Sequence, residues 1–149
     1  ETTISYAIVR ITTMYGWQPK GARLNPVTWI IDKLSKGKKI FMVNDKFINP
    51  IYNISAAKAI WKIAQKNLEG TYHLAGLDTV SRYDWATSVA KVFGLPQNLI
   101  FSVDSSYFPN LAKRPADTSF DTKKMIKKLK IKPMSLQQGL RDMKNEADK

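Results

Sequence analysis

The chain has 149 residues, about the length of one domain, and a chain of this size can bury roughly 68–70% of its unfolded surface. Apolar residues make up 44% of it and charged residues 24%, which is typical of a globular protein and excludes a fibrous or disordered one. It contains no cysteine and a single histidine, which excludes disulfides, thiol nucleophiles and sites built from two histidines, so no metal site is expected.

The sequence shows no signal peptide and no apolar run near the roughly 20 residues that a membrane span needs. Together with the lack of cysteine, these features predict a cytoplasmic protein without membrane contact.

The net charge is +12, from 24 basic and 12 acidic residues. Such a balance favours an anionic partner, which is a nucleic acid, an anionic lipid surface or a phosphorylated small molecule. Scattered lysines more often form a solvated surface, so the charge alone does not choose among these partners.

The first half of the chain predicts strands alternating with helices. A short apolar run at 6–9 indicates a buried strand, and Asn25 followed by Pro26 is typical of a helix start. Gly37 suits the end of that helix, and the apolar run 40–43 predicts a strand covered on both faces. The next helix is expected over about 55–67, with one buried face carrying Ala57, Ile60, Trp61 and Ala64.

The second half continues the alternation. A third strand is predicted at 71–75, a helix capped by Ser81 follows it, and a fourth strand is expected at 99–103. After a long loop, two short helices begin near Asp121 and Ser135. Three tryptophans lie on predicted helix stripes and are expected in the core: Trp29, Trp61 and Trp85.

Complete active-site motifs are missing from the sequence. The seven glycines never take the spacing of a phosphate-binding loop, and no GxSxG elbow occurs. The residues by themselves therefore indicate a basic α/β unit without a full catalytic site.

Four segments, in order, resemble motifs of one enzyme family. They are VRITTMYG (9–16), VNDKFINPIYN (43–53), GTYHLAG (70–76) and AKRPADTSFDTKKM (112–125). They are similar to "LRTSWVYG", "VNDQxGxPTY", "GxYHLAG" and "ARPxNSxLDTxKL" of the extended short-chain dehydrogenase/reductases, particularly the dTDP-4-dehydrorhamnose reductases. The resemblance covers nearly the whole chain.

This resemblance implies the C-terminal half of such an enzyme: the late strands of the Rossmann sheet plus a small mixed α/β substrate-binding domain. Residues 1–16 and about 48–76 would belong with the cofactor-domain sheet, and about 17–47 and 77–149 with the substrate-binding domain. The family's dinucleotide fingerprint and its catalytic Tyr-x-x-x-Lys pair lie upstream of the first motif, and this sequence contains no Tyr-x-x-x-Lys. No catalytic residue is therefore expected here, and the segment alone should be inactive.

The resemblance implies two contacts at the end of the first strand. Family members line the nicotinamide and the sugar at this point, so Ile11 and Thr12 are expected at the cofactor and Thr12 and Thr13 at the substrate. Thr13 stands where many of the reductases carry tryptophan. Ordinary backbone bonding by a strand-end threonine is the alternative.

Four further residues are expected at the substrate by the same resemblance. Asn25 precedes a helix whose N-terminus would face a diphosphate, although it equally suits a plain helix cap. Lys46 replaces the family's glutamine, and Pro50 is followed by Ile51 in place of threonine. Arg114 is the strongest candidate, since a guanidinium binds phosphate oxygens in pairs, the alternative being a surface arginine bracing Pro115.

The function implied is the substrate-binding part of a nucleotide-sugar reductase that uses NADP or NAD, with the cofactor bound mainly by upstream residues. The expected ligand is a dTDP- or UDP-sugar, with no nucleic-acid or membrane partner and a possible homodimer. A non-catalytic regulatory or scaffold subunit of the same fold is the first alternative. A basic nucleic-acid-binding module is the second, motivated by the charge and by the lysine-rich run 123–132.

Overall fold

The computed structural model describes residues 4–110 and 112–147. Over this part of the chain, helices alternate with short strands. In chain order the elements are β1 (Ala7–Ile11), β2 (Met14–Tyr15), α1 (Pro26–Ser35), β3 (Ile40–Val43), β4 (Phe47–Ile48), β5 (Ile51–Tyr52), α2 (Asn53–Gln65), β6 (Gly70–Leu74), β7 (Val80–Ser81), α3 (Arg82–Phe93), β8 (Ile100–Val103), α4 (Lys123–Leu129) and α5 (Leu136–Ala147).

The strands pair two by two. β1 runs parallel to β6, β2 to β5, and β3 to β8, whereas β4 and β7 are antiparallel. Each parallel pair is connected through at least one helix, as parallel strands require. The predicted α/β class is confirmed.

Capping residues begin and end the helices α1 and α3 close to where the sequence predicted. The Asn25 side chain accepts hydrogen bonds from the backbone N–H groups of Val27 and Thr28 at the start of α1. The Ser81 hydroxyl accepts from the N–H of Asp84 at the start of α3, and Gly94 ends that helix in a left-handed conformation with φ 68°. These caps satisfy N–H and C=O groups that a helix end leaves without partners.

The predicted buried face of α2 is wrong. Ala56, Ala59 and Ile63 face the core, whereas Trp61 is 65% exposed. The two alanines let the helix approach the strands closely, and the bulky side chains at the adjacent positions point outward. Trp29, on α1, is also largely outside the core, and of the three tryptophans only Trp85 is buried there.

Two predicted strands are covered on fewer faces than expected. In β1, Ala7, Val9 and Ile11 pack against the core while Ile8 is exposed. In β3, Phe41 is exposed and stacks on Phe101 of β8. One face of each strand pair thus stays open within the described residues.

The apolar side chains form two separate clusters. The larger one joins α1, α3 and α5 to β3 and β8, with Leu34, Trp85 and Leu140 among its members. The smaller one joins β1, β6, α2 and α4, and includes Leu74 and Leu129. Segment 40–52 contributes to both clusters: Ile40, Ile48 and Tyr52 belong to the larger one and Ile51 to the smaller.

Among residues 4–110 and 112–147, none of the helices has the length and apolar character required to cross a membrane.

Candidate functional site

A cleft of about 780 Å³ opens between β3, the residues around β4, the start of α3 and the loop before α4. This volume lies within the range of small-molecule sites. The cleft is lined by Thr13, Phe41, Met42, Val43, Lys46, Phe47, Ile48, Arg82, Ser105, Ser106, Phe108, Pro109, Ala112, Lys113, Arg114, Pro115 and Thr118.

The cleft is strongly cationic. Its lining includes Lys46, Arg82, Lys113 and Arg114, and it has no aspartate or glutamate. In the described part of the chain, the ion pairs join Lys36 to Asp32 and Lys123 to Asp121, all outside the cleft. None of the four cations forms an ion pair within the described residues, although Asp45 lies close enough to Lys46 to feel its charge. The excess of positive charge in the lining favours an anionic ligand.

Arg114 is exposed and is held in place through its backbone. The Nζ of Lys46 donates to the carbonyl oxygen of Arg114 at 3.2 Å. Next to it, the N–H of Phe47 donates to the carbonyl of Ala116 at 2.7 Å, and the N–H of Thr118 donates to the carbonyl of Phe47 at 3.0 Å. The loop lies along β4 as an added extended segment, and Arg114 belongs to the cleft lining.

Asn49 fixes the far end of the same loop. Its buried side chain donates from Nδ2 to the carbonyl of Phe120 at 2.9 Å and accepts from the N–H of Phe120 at 3.0 Å. Its carbonyl oxygen accepts from the Thr12 hydroxyl at 2.8 Å and from the Gly76 N–H at 3.2 Å. One residue thus joins β1, β6 and the loop that carries Arg114.

Arg82 is a cleft residue that the sequence analysis missed. It is the first residue of α3, and its guanidinium carbon lies 5.7 Å from the ring centre of Trp85. A signal was present in the sequence: arginine directly after the capping Ser81 places a cation at the positive end of a helix, which the helix dipole disfavours. The carboxylate of Asp84 lies in the same first turn, so the position marks Arg82 as uncommon and does not by itself indicate a function.

Aromatic side chains form the apolar part of the cleft. Phe41 and Phe108 belong to the lining. Beside them, the exposed Tyr107 ring stacks on Phe41 with centres 5.1 Å apart and meets Phe108 edge-on at 5.0 Å. Flat aromatic surface next to guanidinium groups suits a ligand that combines a ring with negative charge.

The structure brings together three of the predicted substrate residues. Thr13, Lys46 and Arg114 all line the cleft. Thr12, Asn25 and Pro50 do not: Thr12 bonds to Asn49, and Pro50 is buried beside Gly76. The Asn25 side chain donates from Nδ2 to the Gly16 carbonyl and to Gln18. Its oxygen accepts from the Val27 N–H in the helix cap.

The side chains of the two residues predicted to contact the dinucleotide, Ile11 and Thr12, contact other parts of the protein. The Ile11 side chain packs in the smaller apolar cluster, and the Thr12 hydroxyl donates to Asn49. Neither side chain lines the cleft.

Asp45 anchors the turn that forms one wall of the cleft. The Ser105 hydroxyl donates to its Oδ2 at 2.6 Å. That hydrogen bond holds the pKa of Asp45 below its usual value, because it stabilises the charged form.

We expect Ser105→Ala to raise the pKa of Asp45 and to destabilise the protein more at neutral pH than at acid pH. A carboxylate with a lowered folded-state pKa stabilises the fold above its unfolded pKa, and this contribution is lost as the pH falls through the folded value. The pKa is measured by NMR titration and the stability by denaturation at both pH values. Ser88→Ala, whose hydroxyl bonds only to a backbone carbonyl, is the control. An equal effect of Ser105→Ala at both pH values would contradict this account.

With this geometry established, comparison with known proteins identifies relatives. The model of a family described as the RmlD substrate binding domain matches residues 1–149. The chain is 29% identical over 128 residues to dTDP-4-dehydrorhamnose reductase of Aggregatibacter actinomycetemcomitans, covering 78% of this chain and 44% of that protein. It is 26% identical over 132 residues to methionine adenosyltransferase 2 subunit beta of Pongo abelii, covering 84% and 39%.

Solved structures agree. The crystal structure of dTDP-4-dehydrorhamnose reductase from Bacillus anthracis in complex with NADP superimposes with a TM-score of 0.83 at 25% identity, covering 95% of this chain and 48% of that one. The predicted relationship to the dTDP-4-dehydrorhamnose reductases is thereby confirmed. The chain spans less than half the length of each of these three proteins.

Proposed function

This chain belongs to the RmlD substrate-binding domain family, and on that premise we propose that it is the substrate-binding part of an NAD(P)H-dependent nucleotide-sugar reductase. The observation that carries the proposal is the cationic cleft, in which Arg114 of the most specific motif faces the space that a nucleotide sugar would fill. Thr13 and Lys46 line the same space. A diphosphate would lie against the cations and a base against the aromatic wall.

The proposal leaves the redox chemistry to polypeptide outside this sequence. Hydride transfer needs a held nicotinamide and a group that protonates the developing alkoxide. This sequence has neither the glycine-rich loop nor a Tyr-x-x-x-Lys pair. NADP or NAD would accordingly be bound mainly by the rest of the enzyme. The enzyme would be cytoplasmic and could form a homodimer.

The division into two parts belongs to the same proposal. The cluster around β1, β6 and α2 would continue the cofactor-domain sheet, and the cluster around α1, α3 and α5 would form the substrate-binding domain. Helix α4 packs its Met125 and Leu129 into the first of these clusters. We therefore assign α4 to the cofactor-domain side, although the family resemblance implied the substrate-binding domain for residues 77–149.

We expect Arg114→Ala to weaken binding of a dTDP- or UDP-sugar about 10- to 100-fold, the loss for one hydrogen-bonded charged contact. Calorimetry on the purified full-length protein measures this affinity. Arg141→Ala is the matched control, since Arg141 is exposed on α5 outside the cleft. Unchanged affinity in Arg114→Ala would remove Arg114 from the site, and the absence of nucleotide-sugar binding by the unmodified protein would contradict the proposed function.

A regulatory subunit of the same fold is the second candidate. It is favoured by the similarity to methionine adenosyltransferase 2 subunit beta and by Thr13, which replaces tryptophan in the cleft lining. The Tyr-x-x-x-Lys pair separates the two candidates: its presence in the preceding polypeptide supports the reductase, and its absence supports the regulatory subunit.

A further inference from the structure

The outward side of helix α2 carries an apolar stripe. Its members recur at the spacing of one helix face, on the side opposite the buried Ala59: Ile54, Ala57, Trp61 and Ala64. All four are exposed, and Trp61 has 65% of its surface open to solvent. The apolar periodicity that predicted a buried face for α2 is therefore present, but it points away from the core. An outer helix face is normally polar, so this stripe offers apolar surface to a partner.

Lysines flank this stripe and continue onto the neighbouring helix. Lys58 and Lys62 lie on α2, Lys66 directly follows it, and α4 packs against α2. The run 123–132 covers α4 and the three residues after it. Segments 53–67 and 123–132, here called the basic helices, hold nine of the 24 basic residues of the chain and none of its 12 acidic ones. Most of the net charge of +12 therefore comes from them.

The charges of the basic helices are largely without a counter-charge. Among residues 4–110 and 112–147, the ion pair of these helices joins Lys123 to Asp121 at 3.6 Å. Lys124 donates to the carbonyl oxygen of Thr71 at 2.6 Å. Glu69, which follows α2, accepts from the Ser5 hydroxyl. Six further lysines of the basic helices are exposed: Lys58, Lys66, Lys127, Lys128, Lys130 and Lys132.

Exposed apolar side chains among unpaired lysines favour one partner chemistry over the others. A second copy of the chain would bring lysines against lysines, and like charges repel. A nucleic acid would neutralise the lysines, but it would leave Ile54 and the other aliphatic side chains without apolar contact. An anionic lipid bilayer presents phosphate groups directly above acyl chains, so it satisfies both features. Tryptophan is also the side chain most typical of that interface.

We propose that the basic helices form a docking surface for an anionic lipid membrane. The Trp61 indole enters the headgroup region, and the lysines contact the lipid phosphates. Such a contact needs no membrane-spanning segment, whose absence was a main reason for expecting no membrane partner. None of these residues lines the cleft, so the docking surface is independent of the nucleotide-sugar site.

The test measures cosedimentation of the purified full-length protein with lipid vesicles. One set contains phosphatidylcholine alone, and the other contains about one-third phosphatidylglycerol. The unmodified protein should bind the anionic vesicles at least about 10-fold more tightly than the neutral ones. Raising the salt from about 0.1 M to about 1 M shortens the Debye length from roughly 10 Å to 3 Å, so it should remove most of this preference.

A tryptophan variant tests the apolar contact. Trp61→Ser should weaken binding to the anionic vesicles about 10-fold, because an inserted aromatic side chain is lost. Trp29→Ser is the matched control and should bind as the unmodified protein does. Trp29 is also a partly exposed helical tryptophan beside a lysine, with the Nζ of Lys33 at 5.9 Å from its ring centre, but it lies on α1.

A charge variant tests the electrostatic contact. Lys58→Glu combined with Lys127→Glu should weaken binding to the anionic vesicles at least about 30-fold, since two attractions become repulsions. Lys20→Glu combined with Lys38→Glu changes the net charge equally at exposed positions outside the basic helices, and it should lose much less. Thermal unfolding of each variant separates loss of binding from loss of fold.

Three kinds of result would overturn the proposal. Equal losses in a variant and its matched control would show that the basic helices are not the contact. Equal binding to neutral and anionic vesicles, or no vesicle binding by the full-length protein, would exclude anionic lipid as the partner. Binding of a DNA duplex without binding of vesicles would assign the surface to nucleic acid instead. Nucleotide-sugar affinity is measured separately, so none of these results contradicts the proposed function.

Discussion

Gly76→Ala is expected to destabilise the protein by about 3 kcal/mol or more, the upper part of the range for overpacking a tight interior. A Cβ at Gly76 would overlap the carbonyl oxygen of Pro50. The obstacle is backbone, so no side-chain rotation relieves it. The Gly76 N–H also donates to the Asn49 carbonyl, and moving the chain apart would break that bond.

Chemical denaturation measures the loss, and Gly37→Ala is the matched control. Gly37 has φ 64°, and a Cβ there would meet nothing within 4 Å. Alanine at position 37 should therefore lose only the roughly 1–2 kcal/mol of a left-handed backbone. If Gly76→Ala loses no more stability than Gly37→Ala, the close packing of Gly76 on the 49–50 backbone is wrong.

Elements whose ends depend on neighbouring residues could be predicted from the sequence. Asn25 with Pro26, Ser81 with Asp84, and Gly94 each act within four residues, and the structure places helix ends at all of them. The face that a helix buries depends instead on what it packs against. In α2, Ala56 and Ala59 face the core because the helix packs closely against the strands. The spacing of apolar residues in the sequence does not predict this face.

In the cleft, too, some residues could be predicted from the sequence and others depend on the tertiary fold. Arg114 was found because it lies in a specific motif, but its placement depends on Lys46, 68 residues away. Arg82 lies in no motif, and only its position at the start of α3 marked it as unusual. Arg82 and Arg114 line the same cleft only because the fold brings the loop before α4 next to β4.

Asn49 had no local signal at all, since its partner Phe120 is 71 residues away. Asparagine inside a turn-like segment reads as an ordinary loop residue. The buried amide that joins both backbone groups of Phe120 follows from the tertiary fold alone.

Asn49→Ala is expected to cost about 2–4 kcal/mol, because both backbone groups of Phe120 lose their partner. The loop that carries Arg114 would loosen, so nucleotide-sugar affinity should fall as well. Asn44→Ala is the matched control, since the Asn44 side chain bonds to Ser102 at the surface. Equal losses for the two variants, in denaturation and in calorimetry, would refute this role of Asn49.

Asn49→Asp tests the same contact through its pH dependence. The introduced carboxylate would still accept from the Phe120 N–H, but it would face the Phe120 carbonyl without a proton to donate. Burial and this repulsion should raise the pKa of the new group. A raised carboxyl pKa makes the folded state bind the proton more tightly than the unfolded state, so the variant should approach the stability of the parent as the pH falls. Denaturation at pH 7 and pH 4.5 measures the difference, and a gap that stays constant between the two would mean that the Asn49 amide does not donate to the loop.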